Sequence, residues 1–150
     1  MSTAESHPAK ADHRPYIETV RVALLLQDLH VGAADFKSGP VRSAAMTMLP
    51  PDDDFDDPWA HTFAHAERVE LRWNEEDGWS LLAIHPSDGQ YLPTIWHRGF
   101  GVVLSPGEIC AWLGLLLTMP ALSSSQEDGP YRTHQAHDAA FEAYLATYAL

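Results

Sequence analysis

The sequence is poor in the residues that several large classes of protein depend on. Its 150 residues include one cysteine, Cys110, which excludes an internal disulfide framework. Lysine occurs only as Lys10 and Lys37, and Lys+Arg total 9 against 21 Asp+Glu, for a net charge of −12. A chain so short of cations is ill suited to phosphate backbones, which argues against direct nucleic-acid binding. The same deficit argues against anionic membrane surfaces. No apolar run approaches the length of a membrane span, and the opening MSTAESHPAK has no apolar stretch of the kind that directs secretion. The prediction is a cytoplasmic protein. Catalytic signatures are missing too: there is no Gly-x-Ser-x-Gly elbow, and Gly99-Phe100-Gly101 lacks the lysine and helix start of a phosphate loop.

What is present points to one core. Hydrophobic residues make up 45% of the chain, enough to bury a core. Residues 1–15 are small, polar and proline-punctuated and read as a disordered tail; residues 16–150 read as a single domain. From Tyr16 to His30 the apolar residues Ile17, Val20, Leu24 and their neighbours form a helical stripe, with Gly32 as the stop. Residues 41–49 suit a strand, although their alanines and methionines also suit a helix. The stretch 50–66 is an acidic loop containing DDDFDD, which repels itself into an extended, solvated form.

The clearest local pattern follows. Val69, Leu71 and Trp73 alternate with Arg68, Glu70 and Arg72, and Asp77-Gly78 supplies the turn into Trp79, Leu81 and Ala83. This predicts a hairpin with Trp73 near Trp79. Tyr91 to His97 reads as a further strand that Pro93 demotes to an edge or an irregular strand. Ser105-Pro106-Gly107-Glu108 is a capping box before a helix, 109–117, that is apolar on every side. Such a helix is either central in the core or covered by a partner, so homo-oligomerisation through 109–117 is one expectation. Residues 120–132 read as a linker and Thr133 to Tyr148 as a last helix. The expected architecture is α+β: a small antiparallel sheet of three to four strands with about three helices packed mainly on one face.

The segment Arg72 to Leu81, with its tryptophan–acidic turn–glycine–tryptophan hairpin, together with the Ser-Pro-capped apolar helix and a tyrosine-led helix from Tyr16 to Leu29, resembles a family of small acidic bacterial proteins classed as a domain of unknown function. The resemblance covers residues 16–30 and 67–117. It implies the architecture and no activity.

Two constellations carry functional readings. Ten acids and two arginines lie between Asp52 and Asp77, which supplies eight of the twelve net negative charges. The leading reading is a non-enzymatic interaction or regulatory module that docks a basic protein partner on this surface through Asp52, Asp53, Asp54, Phe55, Asp56, Asp57 and Trp59. The alternative is a small metal-dependent or acid–base enzyme, or a small-ligand binder. No cofactor is required by the sequence. The histidine pairs His61/His65 and His134/His137 nevertheless have the helical spacing that zinc or another divalent metal uses. Arg98, Glu70 and His85 are a weaker grouping that could meet around a pocket.

Overall fold

The computed structural model describes residues 10–49, 68–84, 94–98, 101–118, 131–135 and 138–149. The fold is α+β: the described residues form a five-stranded antiparallel sheet and three α-helices. In chain order these are α1 (Arg14–Leu26), β1 (Val31–Lys37), β2 (Ser43–Met48), β3 (Arg68–Asn74), β4 (Gly78–Ile84), β5 (Thr94–His97), α2 (Pro106–Thr118) and α3 (Ala139–Ala146), the last running into a 3₁₀ turn, Thr147–Ala149. The strands form a meander in the order β1-β2-β3-β4-β5.

The strand beyond the expected three or four is β1. It follows α1 because the helix stops earlier than Gly32 suggested. Asp28 takes the left-handed conformation (φ 62°), and the Leu29 and Asp28 amides donate to the Leu24 and Leu25 carbonyls, closing the last turn. Leu29 then packs on the core. The helical stripe is correspondingly narrower than the spacing implied. Tyr16, Ile17, Val20 and Leu24 are buried, while Val22, Leu25 and Leu26 face outward. Strand β1 bulges between Val31 and Ala34, and the Arg21 guanidinium donates to the Gly32 carbonyl (2.9 Å), so the bulge and this contact blunt the outer edge.

The predicted hairpin is β3 and β4, with Trp73 directly opposite Trp79. Its turn is closed by the Asn74 side-chain oxygen, which accepts from the Glu76 and Asp77 amides (2.8 and 2.7 Å), while Gly78 takes φ +84°. Glycine is required there for a second reason. A Cβ on Gly78 would stand 2.6 Å from the Gly101 carbonyl, because the segment 101–105 crosses closely over the hairpin. Strand β2 resolves the ambiguity of residues 41–49 in favour of a strand, placing Ala44, Met46 and Met48 on the buried face. Strand β5 is an edge strand, as Pro93 implied.

The capping box at α2 is real. The Ser105 amide donates to Glu108 Oε1 (3.1 Å) and the Glu108 amide to Ser105 Oγ (3.2 Å). Helix α2 puts Ile109, Leu113 and Leu116 into the core, so its all-round apolar character is used on one face. The last helix is shorter than Thr133 to Tyr148. It begins after Asp138, whose carboxylate accepts from the Phe141 amide (3.1 Å), and it buries Phe141 and Leu145.

Within the expected tail His13 is buried and Ala11 packs against the core, and α1 already starts at Arg14. His13 is 1% exposed, stacks on Trp73, and its Nε2 donates to the Ser43 carbonyl at 2.8 Å. Lys10 donates to the His134 carbonyl (2.9 Å). Residues 131 and 132, assigned to the linker, are likewise fixed. The Tyr131 amide donates to the Glu76 carbonyl (2.8 Å), and Arg132 bonds to Glu75. Residues 1–9, and the acidic loop from residue 50 onward, lie outside the described residues.

At the centre of the core, the Tyr16 hydroxyl donates to the Leu104 carbonyl (2.6 Å) and accepts from Trp79 Nε1 and the Leu104 amide (3.0 Å each). Trp73 Nε1 donates to the Val102 carbonyl (2.9 Å). These bonds tie α1 and the 101–105 segment to the hairpin.

Candidate functional site

At the hairpin turn the chain gathers charge inside the protein. Glu75, in the turn, is fully buried; Arg42 and Arg132 converge on it, and Glu142 joins the cluster through Arg42. Arg42 spends every N–H it has. Nε and Nη2 grip the Glu75 carboxylate side-on (3.0 and 2.9 Å). Nη2 and Nη1 grip Glu142 end-on (2.6 and 2.8 Å), and Nη1 also donates to the Ala11 carbonyl (2.6 Å). The Arg42 amide donates to Glu75 as well (2.6 Å). Arg132 lies with its guanidinium carbon 3.8 Å above the Phe141 ring and donates through Nη1 to the Glu75 carboxylate and carbonyl (2.9 and 3.0 Å).

The electrostatics follow from this closure. Burial alone would raise the Glu75 carboxyl, but the bonds from Arg42 and then Arg132 outweigh it and hold the group at about 2. Glu142 is also lowered, against its burial, by Arg42 and the Ala11 amide, and Arg42 is raised by its two carboxylates against the same opposing effect. His13, beside this cluster, is lowered by desolvation. Burial pushes the Cys110 thiol up, in keeping with a small apolar residue rather than a nucleophile.

Asp52, Asp53, Asp54, Phe55, Asp56, Asp57, Trp59, His61, His65 and His137 all lie outside the described residues, as does His85. His134 is described, and its partner is Glu76: the His134 amide and Nδ1 both donate to Glu76 Oε2 (2.8 and 2.7 Å). Among the described residues no group of three or more His, Cys, Asp or Glu is placed to hold a metal ion.

The acidic stretch 52–77 is also less uniform than its count. Glu75 is interior, Glu76 holds His134, and Glu70 is bracketed by Arg68 and Arg72 at 2.8 Å each. Glu70 thus pairs with those two arginines, while His85, which the sequence groups with it, lies outside the described residues. It borders a groove of about 430 Å³ on the face of the sheet turned away from the core, lined also by Asp35, Lys37, Ser43, Arg72 and Asn74. Two carboxylates and two cations balance there, so the groove itself carries no net pull on a charged partner.

The buried cluster is the feature that sequence reasoning missed. Arg42 and Glu75 are 33 residues apart, and Arg42 and Glu142 are 100 apart. The one available signal was a glutamate following a strand of the most regular hairpin in the chain.

Comparison with known protein families, curated proteins and solved structures finds nothing that matches this chain.

Proposed function

We propose that the chain is a non-enzymatic interaction module that docks a basic protein partner on the acidic connection between β2 and β3, with Phe55 and Trp59 as apolar anchors among the aspartates. One observation carries this reading. Met48 pairs directly with Val69, so the two strands leave the sheet side by side and a turn of roughly two to five residues would join them. The chain instead spends residues 49–67 on that connection, with six acids, no lysine and no arginine among them. A long, single-sign segment anchored at both ends to a sheet favours electrostatic steering of a partner of opposite charge. Further support comes from the interior. Glu75, Glu142 and Arg42 are committed to one another, which leaves them poorly suited to acid–base work on a substrate.

The test is capture by the immobilised full chain from a lysate of its own cells, compared with the Phe55→Ala/Trp59→Ala double variant. The reading expects a basic protein that elutes with salt and whose capture falls more than about tenfold in the variant, with an unchanged far-UV spectrum. Equal capture by both proteins, or no basic protein among those retained, overturns it.

A further inference from the structure

The sheet face turned away from the core carries a trough over β2. Its floor is made of small side chains, Ser43 and Ala45. On one side β1 places Lys37 opposite Ser43 and Asp35 opposite Ala45; on the other, β3 places Asn74 opposite Ser43 and Arg72 opposite Ala45. Neighbouring strands lie about 4.8 Å apart, so the two walls stand roughly 10 Å from each other. The groove between them holds about 430 Å³, room enough for a small molecule.

The two walls use their charges differently. On β3, Arg72 lies along its own strand with Nε and Nη2 on Glu70 (2.9 and 2.8 Å), and Arg68 holds the same carboxylate (2.8 Å). Arg72 is thereby kept from crossing the floor to Asp35. On β1, Asp35 and Lys37 are both exposed, and among the described residues neither makes an ion pair or a side-chain hydrogen bond. Asp77, bonded to Asn74, completes the local charge. Asp35, Glu70 and Asp77 then face Lys37, Arg68 and Arg72, so the groove is neutral. It nevertheless keeps one carboxylate and one ammonium unspent on the same wall.

A ligand of a single sign is attracted by one of these groups and repelled by the other, whereas a zwitterion satisfies both. Positions 35 and 37 are two residues apart on a strand, about 6.6 Å. An α-amino acid carries its ammonium and its carboxylate on one carbon, and with a charge-assisted hydrogen bond of about 2.8 Å at each end it spans that gap. In a dipeptide the two charges stand one residue further apart.

We propose that this groove binds a free α-amino acid, with its ammonium on Asp35, its carboxylate on Lys37 and its side chain lying across Ala45 toward Arg72. The site does not depend on the partner assigned to the acidic connection.

The experiment titrates the isotopically labelled full chain with each of the common free L-amino acids at millimolar concentration and follows the amide resonances of Asp35, Lys37, Ser43 and Ala45. At least one amino acid is expected to shift them saturably. Its binding should weaken more than about tenfold in Asp35→Asn and in Lys37→Met, each of which removes one charge-assisted bond. N-acetylation or amidation of the same amino acid should weaken binding to the wild-type protein by a similar factor. Both substituted positions are exposed on an edge strand, so the variants should keep the wild-type far-UV spectrum; if one does not, the acetylated and amidated ligands decide. No saturable shift with any amino acid, equal binding by the folded variants, or equal binding of the acetylated and amidated forms would each overturn the proposal.

Discussion

Tyr16 and Arg42 each fasten distant chain to the β3–β4 hairpin, one with a neutral hydroxyl and the other with a guanidinium. Tyr16 joins α1 to Trp79 and Leu104 through three bonds among uncharged groups. Arg42 joins the N-terminal segment, the hairpin turn and α3 through two carboxylates. Both side chains are buried, yet they fail differently. A neutral group that loses its partner leaves an unpaired dipole, whereas a charge that loses its partner leaves a desolvated ion, a several-fold larger penalty. The ionic fastening is therefore stiffer against its own disruption without being a larger net source of stability.

Arg42→Met is expected to break the contrast most severely. It leaves Glu75 and Glu142 buried beside a single arginine and should cost roughly 3–5 kcal/mol in urea unfolding. Adding Glu75→Leu and Glu142→Leu to that variant should recover most of the loss; a triple variant no more stable than the single one would mean that packing, not charge closure, sets the cost.

Glu75→Gln sharpens the comparison through pH. The folded carboxyl is held at about 2 against an ordinary value of 4.5. Its stabilisation is therefore fully present above 4.5 and lost as the pH falls toward 2, a contribution of about 3 kcal/mol at neutral pH. The gap between wild type and Glu75→Gln should shrink between pH 5 and 3. The smallest effect is expected at the neutral fastening. Tyr16→Phe strands the Trp79 Nε1–H and both polar groups of Leu104 and should cost roughly 1–3 kcal/mol. Because burial raises the Tyr16 hydroxyl above its ordinary value of 10, its contribution is constant below pH 10 and lost only in alkali. The Tyr16→Phe gap should thus be equal at pH 7 and pH 4. A gap that shrinks in acid along with that of Glu75→Gln would mean the two fastenings are one coupled unit.

Features written in short spacings were legible from the sequence. The Arg68–Ile84 hairpin, the Ser105–Glu108 capping box and the edge character of the strand ending at His97 each follow from residues within a few positions of one another. Strand β1 was not legible because VGAADFK has few β-branched or aromatic residues and its register is interrupted by a bulge. The helix stop was misplaced because Asp28, not a glycine, adopts the left-handed conformation. The cluster was hidden for a deeper reason: a residue's charge says nothing about a partner far along the chain. Glu75 and Glu76 read as part of an acidic surface, and only the fold reveals that Arg42, Arg132 and His134 meet them. The carboxylate that His134 meets lies 58 residues upstream, beyond the reach of any spacing argument.

The 100-residue separation between Arg42 and Glu142 has a consequence for the order in which this protein acquires its structure. The meander assembles from neighbouring strands, but Arg42 has only half of its carboxylate ligands until α3 docks. On a chain emerging N-terminus first, the guanidinium and the Glu75 turn must wait, still hydrated, for the last helix to arrive. Desolvation of the cluster is then a late, concerted step. Closing that long loop is thus part of burying the cluster, and the buried charges are matched only with α3 in place.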